Sequence, residues 1–310
     1  MHDRDADLWL QAARAGDFAT AWSISDRIRA RTTNRGDPAL PRHLQQIWDG
    51  TPVEGRRVLV RCYHGLGDTI QFARYLPALH TIAREVIVWA QPALLDLLAT
   101  LPGAVTLLPL HDGAPDVPYD VDLEIMELPY VFRSTLETIP AAVPYLRAPS
   151  AFAREPRERP RIGVVWRAGD WDDTRSIPFR QLLPLFESGY AEWWSLQREC
   201  RDEERHADLH WLEGEAGAGA DTIAGTAALI QQMDLVISID SMPAHLSGAL
   251  GVPVWTLLPH RADWRWLTDR DDTPWYPTMR LFRQAHAGDW AGVIADVTQS
   301  VAARTLASHR

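Results

Sequence analysis

Three short stretches of this chain combine acids, bases and backbone-permissive residues in ways that could handle a proton or an anion. In Tyr63-His64-Gly65-Leu66-Gly67-Asp68-Thr69, Gly65 and Gly67 let the backbone turn tightly between an apolar run and a helix. Asp68 has two readings there. It is a helix N-cap with Gln71 as its capping-box partner, or it is a carboxylate at a strand end that acts as a general base. The stretch lacks the third glycine of GxGxxG and the Lys of a P-loop, so it carries neither fingerprint. In Ile239-Asp240-Ser241-Met242-Pro243-Ala244-His245, Pro243 suits the first turn of a helix and Asp240 or Ser241 could cap it. A helix N-terminus entered from a strand end accepts a diphosphate, while the plainer reading is a capped loop with His245 hydrogen-bonded in the interior. In Trp166-Arg167-Ala168-Gly169-Asp170, running on to Thr174-Arg175-Ser176, Arg167 and Arg175 share one loop where a phosphate clamp would want them, although loop arginines are often only surface charge. Gln197 and Glu199, after the next apolar run, could reach the same place.

Strand ends must position these groups, and the pattern supplies them. From Arg57 onward strands and helices alternate: VLVRC, a glycine loop, TIQFARYLPAL, EVIVWA, ALLDLLATL, then strands near TLLPL and VDLEI. A second series follows with IGVVW, FRQLLPLFE, WWSLQ, LHWLE, TAALIQQM, LVISI, AHLSGAL, VPVWTLL and a last helix from about Asp289. Alternation of this kind makes parallel sheets with helices on both faces, and ligands then bind beyond the carboxyl ends of the strands. Ahead of both series, residues 7 to 31 read as two short helices turning at Gly16-Asp17, a single tetratricopeptide-like hairpin, with a linker from Thr32 to His43. One such unit cannot bury both its faces, so it must lean on its neighbour or dock a partner protein. The charged, Pro-bearing run from Ser150 to Arg161 reads as a linker. The expected domains are therefore 1–40 (hairpin and linker), 41–150 and 151–310, an α/β chain of two Rossmann-like doubly wound domains facing a cleft.

Composition narrows the partners. The 310 residues carry a formal net charge of −10 and 46% hydrophobic types, the balance of a folded chain, and an acidic one argues against nucleic acid or anionic membrane as the main partner. There is no Lys, so any side-chain cation that meets an anion is an Arg or a protonated His, and Arg offers a planar fork suited to phosphate. No run approaches the roughly 18 apolar residues of a membrane helix, and the start is charged where a signal peptide is apolar, which points to the cytoplasm. The two cysteines, Cys62 and Cys200, are expected to be plain thiols.

The phrases GLGDTIQFARYLPAL, TLETIPAAVPYL, RSIP, TAALIQQMDLVISIDSMPAHLSGALGVPVW and DWRWLTDRDDTPWYPTMRLFRQ, in this order, resemble bacterial glycosyltransferase family 9, the heptosyltransferase-like enzymes, and especially its tetratricopeptide-linked relatives. The resemblance spans about residues 48 to 303. It implies the GT-B architecture, with the acceptor side on the first domain and the nucleotide-sugar side on the second. It also implies a metal-independent inverting transfer from a nucleotide-diphosphate sugar to a hydroxyl of a glycan, lipid-linked or protein acceptor, with no cofactor. Carried over, Asp68 is the catalytic base, Asp240 meets the donor sugar, Ser241 and His245 stand around the diphosphate, and Arg175 meets the donor phosphates, with Arg167 beside it. Met242 and Pro243 depart from the small and apolar residues usual after the Ser241 position. Two other functions fit the same scaffold: a sugar-nucleotide epimerase, which needs no acceptor, and a binding or scaffold protein without turnover.

Overall fold

The computed structural model describes residues 4–33, 35–37, 39–149, 158–169, 173–199, 201–211 and 222–308. Residues 150–157 of the expected linker, Asp170 and Cys200 lie outside the described residues. The chain divides into two compact units, one of Met1–Leu146 with Asp263–Asp269 and the other of Arg147–Ala262 with Arg270–Arg310.

The first unit opens with the expected hairpin, α1 (Arg4–Arg14) and α2 (Phe18–Arg31). Gly16 between them has φ +76, a left-handed turn that a side chain would strain, and Asp17 caps α2 by accepting from the Thr20 amide. Four parallel strands follow in the order β3-β2-β1-β4: β1 (Arg57–Arg61), β2 (Glu85–Ala90), β3 (Thr106–Pro109) and β4 (Val121–Glu124). Apart from Asp122, which pairs with Arg61, their interior residues are apolar, as a covered parallel sheet requires, with Val58, Leu59, Val60, Val88 and Leu123 fully buried. The stretch TIQFARYLPAL, read as one helix, is two: α3 (Leu66–Phe72) and α4 (Leu76–Ile82) joined by a 3₁₀ turn at Ala73–Tyr75. Pro77 sits in the first turn of α4, where its missing N–H costs nothing, and this restarts the helix. The unit is completed by α5 (Leu95–Leu98) and α6 (Leu128–Val131).

The second unit holds a six-stranded parallel sheet in the order β10-β9-β8-β5-β6-β7. Its strands are β5 (Arg161–Val165), β6 (Glu192–Ser195), β7 (Leu209–His210), β8 (Leu235–Ile239), β9 (Val254–Leu258) and β10 (Met279–Arg283). Around it lie α7 (Leu183–Phe186), α8 (Ile223–Ile230), α9 (Met242–Ala249) and α10 (Trp290–Ser308). β8 and β9 are buried along their whole length. The edge strand β10 was not among the expected elements, because its five residues carry two arginines and alternate only partly. Asp263–Asp269 falls within the expected 151–310 domain but packs in the first unit, where Trp264 meets Trp9 at 5.3 Å and Phe18 at 6.1 Å between ring centres. Leu267, at φ 56, is left-handed without being glycine, so packing must hold this segment in place.

Candidate functional site

At the carboxyl end of β1, Gly65 and not Asp68 occupies the N-cap of α3. Asp68 is the third helical residue, and its Oδ2 accepts the Gly65 amide at 2.9 Å. A Cβ on Gly65 would lie 3.2 Å from that oxygen, so the bare backbone is what lets the carboxylate come so close. Gly67 is the second residue of α3. Gln71, expected to complete a capping box, is instead fully buried with neither side-chain polar atom bonded. The other Asp68 oxygen, Oδ1, pairs with Arg265, whose guanidinium also bonds Asp263 at 2.8 Å and lies over the rings of Phe72 and Trp264.

Beside Asp68 is a buried acid and a histidine. Glu124, the last residue of β4, accepts from the amides of Met126 at 2.6 Å and Tyr63 at 3.2 Å. Burial, with the nearby charges of Glu127 and Asp68, pushes its carboxyl up to about 8 against the pull of those two amides. Glu127, which ties the amides of Glu124 and Trp48, is likewise pushed up by burial to about 7. His64 Nε2 lies 3.9 Å from Glu124 Oε2. Burial lowers the His64 pKa, with Arg265 and His43 acting in the same direction and Asp68 opposing. Arg265 and Glu124 were absent from the sequence reading. Glu124 carried the same signal as Asp68, a carboxylate at a strand's carboxyl end, whereas Arg265 lies 197 residues from Asp68 and had none.

In the second unit, β8 ends at Ile239 and α9 begins at Met242. Ser241 holds the N-cap position but makes no capping bond; its hydroxyl turns back to the Ile239 carbonyl at 3.3 Å. Met242 and Pro243 form the first turn, so the amide that Pro243 lacks is one that the helix would not have used. Arg175 Nη1 donates to the Asp240 carbonyl at 2.9 Å, which places a guanidinium at this strand exit. His245 is buried, with Nδ1 3.0 Å from the Tyr276 hydroxyl and Nε2 3.9 Å from Asp240 Oδ1. The structure thus brings Arg175, Asp240, Ser241, Met242 and His245 together.

Arg167 goes elsewhere. Its Nη1 donates to both oxygens of Glu204 at 2.6 and 2.7 Å, and its Nη2 donates to the Glu199 carbonyl at 2.8 Å. Burial works against the charge on Glu204, but Arg167 and the Trp166 indole outweigh it and hold the carboxyl below its usual range. Gln197 clasps the Arg167 backbone from both sides, accepting its amide at 3.1 Å and donating to its carbonyl at 3.3 Å. These residues and Glu199 line a hollow of about 830 Å³ at the ends of β5 and β6, a volume suited to a small-molecule ligand. Among the described residues no cluster of three metal-ligating side chains is present.

Residues 214–267 match the sequence model of Glycosyltransferase family 9 (heptosyltransferase). Over this segment the chain is similar to family 9. That segment contains Asp240, Ser241, Met242, His245 and Arg265. Among curated proteins, Protein FlbA of Caulobacter vibrioides is 23% identical over 298 residues, covering 82% of this chain, and the chain spans about half (48%) of that relative's length. Among solved structures, the Escherichia coli heptosyltransferase WaaC with ADP has a TM-score of 0.52 at 14% identity, covering 79% of this chain and 99% of that one. The iron-containing dodecameric glycosyltransferase TibC of enterotoxigenic E. coli has a TM-score of 0.55 at 12% identity, covering 83% and 78%. The fold is the GT-B kind, two Rossmann-like units preceded here by a helical hairpin.

Proposed function

We propose that this chain is a glycosyltransferase that moves a sugar from a nucleotide-diphosphate sugar to a hydroxyl acceptor, with inversion and without a metal. The observation that carries this is the β8–α9 turn, where the Arg175 guanidinium sits at the strand exit beside a helix start that the Ser241 side chain does not cap. A diphosphate meeting that turn finds a guanidinium together with the positive end of the α9 dipole, which is what the growing charge on a leaving nucleotide requires. Asp240 would accept from sugar hydroxyls, and the hollow at Arg167, Gln197 and Glu199 would take the nucleoside.

In the transfer, an acceptor oxygen forms a bond to the anomeric carbon as the bond from that carbon to the diphosphate oxygen breaks, and the electron pair leaves with the nucleotide. Asp68 takes the acceptor proton. Its two oxygens are held by Arg265 and the Gly65 amide, so the carboxylate is fixed before an acceptor arrives. The acceptor would be a glycan, a lipid-linked glycan or a protein.

The test is a panel of ADP, UDP, GDP and CMP sugars, ADP-heptose among them because TibC has been solved with it. The products are followed by NMR at the anomeric centre with and without EDTA. Inverted transfer that survives chelation supports the proposal. Epimer formation without acceptor would replace it with the epimerase alternative, and activity lost in EDTA and restored by a divalent cation would remove metal independence.

A further inference from the structure

We infer that Tyr276 is a positioning residue that fixes His245 in one neutral tautomer, with hydrogen on Nε2 facing the Asp240 carboxylate. The role rests on the donor-site proposal above, but the geometry does not. Asp240 Oδ1 lies 3.9 Å from Nε2, and an ionised carboxylate can only accept, so the face of the ring toward it favours N–H. A neutral imidazole protonated there has a bare Nδ1. That nitrogen is 3.0 Å from the Tyr276 hydroxyl, which then donates to it.

Both partners are rigidly placed. Tyr276 is 0% exposed and His245 5%, and the ring of Tyr276 lies so close to Gly248, one turn after His245 on α9, that a Cβ there would stand 2.4 Å from its Cδ1. Glycine at 248 is what admits the phenol beside the helix. Buried polar groups of this kind are costly unless bonded, so removing the hydroxyl leaves Nδ1 in need of another donor. The consequence reaches Asp240. With Nε2–H turned to it, the carboxylate is held in one orientation, the one in which the donor-site proposal has it meet sugar hydroxyls. In the opposite tautomer a lone pair would face that charge.

Tyr276→Phe keeps the ring that packs on Gly248 and removes only the hydroxyl. In ¹⁵N-labelled protein, two-bond ¹⁵N–¹H correlation spectra of the His245 ring, assigned by its loss in His245→Gln, should show the Nε2–H tautomer in the unsubstituted chain and a mixture or the reverse in Tyr276→Phe. Nδ1–H or a doubly protonated ring in the unsubstituted chain overturns the inference, and so does an unchanged spectrum in the variant. Should the variant not fold, the spectrum of the unsubstituted chain alone decides the tautomer. By calorimetric titration, Tyr276→Phe should weaken ADP-heptose, or whichever nucleotide sugar of the panel binds, about five- to tenfold while changing the free nucleotide less than twofold, the scale of one hydrogen bond. Equal weakening of both overturns the role in sugar binding. No binding of any nucleotide sugar by the unsubstituted chain would instead overturn the donor-site proposal and leave the tautomer result standing.

Discussion

Asp68 and Asp240 are both carboxylates just past a strand's carboxyl end, yet the proposed chemistry asks different things of them. A base acting on the acceptor should matter to turnover and not to donor affinity. Asp68→Asn is therefore expected to lower the transfer rate about 10²- to 10⁴-fold, with the dissociation constant for the nucleotide sugar little changed. A variant that transfers at the original rate would leave Asp68 only its capping bond to Gly65 and its pair with Arg265. On the donor side, Arg175→Ala should weaken the free nucleotide by about 1.5–3 kcal/mol, the value of a charge-assisted contact. Asp240→Ala should hurt the intact nucleotide sugar more than the nucleotide. Identical losses in the two variants, measured by titration with both ligands, would dissolve this division of labour. The turns that hold these residues were legible in sequence, because strand-then-turn patterns announce themselves locally. Tyr276 and Arg265 were not, since each acts on a residue 31 or 197 positions away and nothing in their own neighbourhood names the partner.

Helices and strands were read from period and punctuation, and misread where those signals were thin. Pro77 inside an otherwise continuous pattern restarts a helix, and β10 is too short and too basic to stand out from a loop. The hairpin expected from the turn at Gly16-Asp17 is present as α1 and α2, and residues of the first unit cover it. Trp22 is buried and donates to the Ser134 carbonyl at 2.7 Å, Asp26 pairs with Arg133 at 2.7 Å, and Trp9 and Phe18 meet Trp264. Its apolar face is thus already occupied within the chain, which leaves little of it for the partner protein considered from sequence. Removing residues 1–31 should expose Tyr130 and Trp264 and lower the melting temperature, while Trp22→Ala alone should cost about 3–5 kcal/mol as a large buried ring is lost. Melting curves that superimpose with and without the hairpin would show that these contacts carry no stability.

At the scale of the whole molecule, the buried acids beside Asp68 set how stability responds to pH. Glu124 and Glu127 have their carboxyls raised to about 8 and about 7, chiefly by burial. The folded chain therefore holds protons that the unfolded chain releases above about pH 4.5, so their contribution is complete below that value and is lost as pH rises through 7 to 8, at up to about 1.4 kcal/mol per proton per pH unit. His64 acts with the opposite sign, because its lowered pKa makes the unfolded chain the better proton binder, but its effect ends near pH 6.5. Between pH 6.5 and 8 the two acids are the part that changes among these three. Glu124→Gln keeps the shape and no longer titrates; its one carbonyl oxygen can accept from only one of the Tyr63 and Met126 amides, a loss that does not vary with pH and so cancels from the slope. Urea unfolding from pH 5.5 to 8 should show the stability of the unsubstituted chain falling relative to Glu124→Gln by about 1–3 kcal/mol. A difference between the two that stays flat across this range would mean that Glu124 is already ionised in the folded protein, and that the site around Asp68 carries one more negative charge than described.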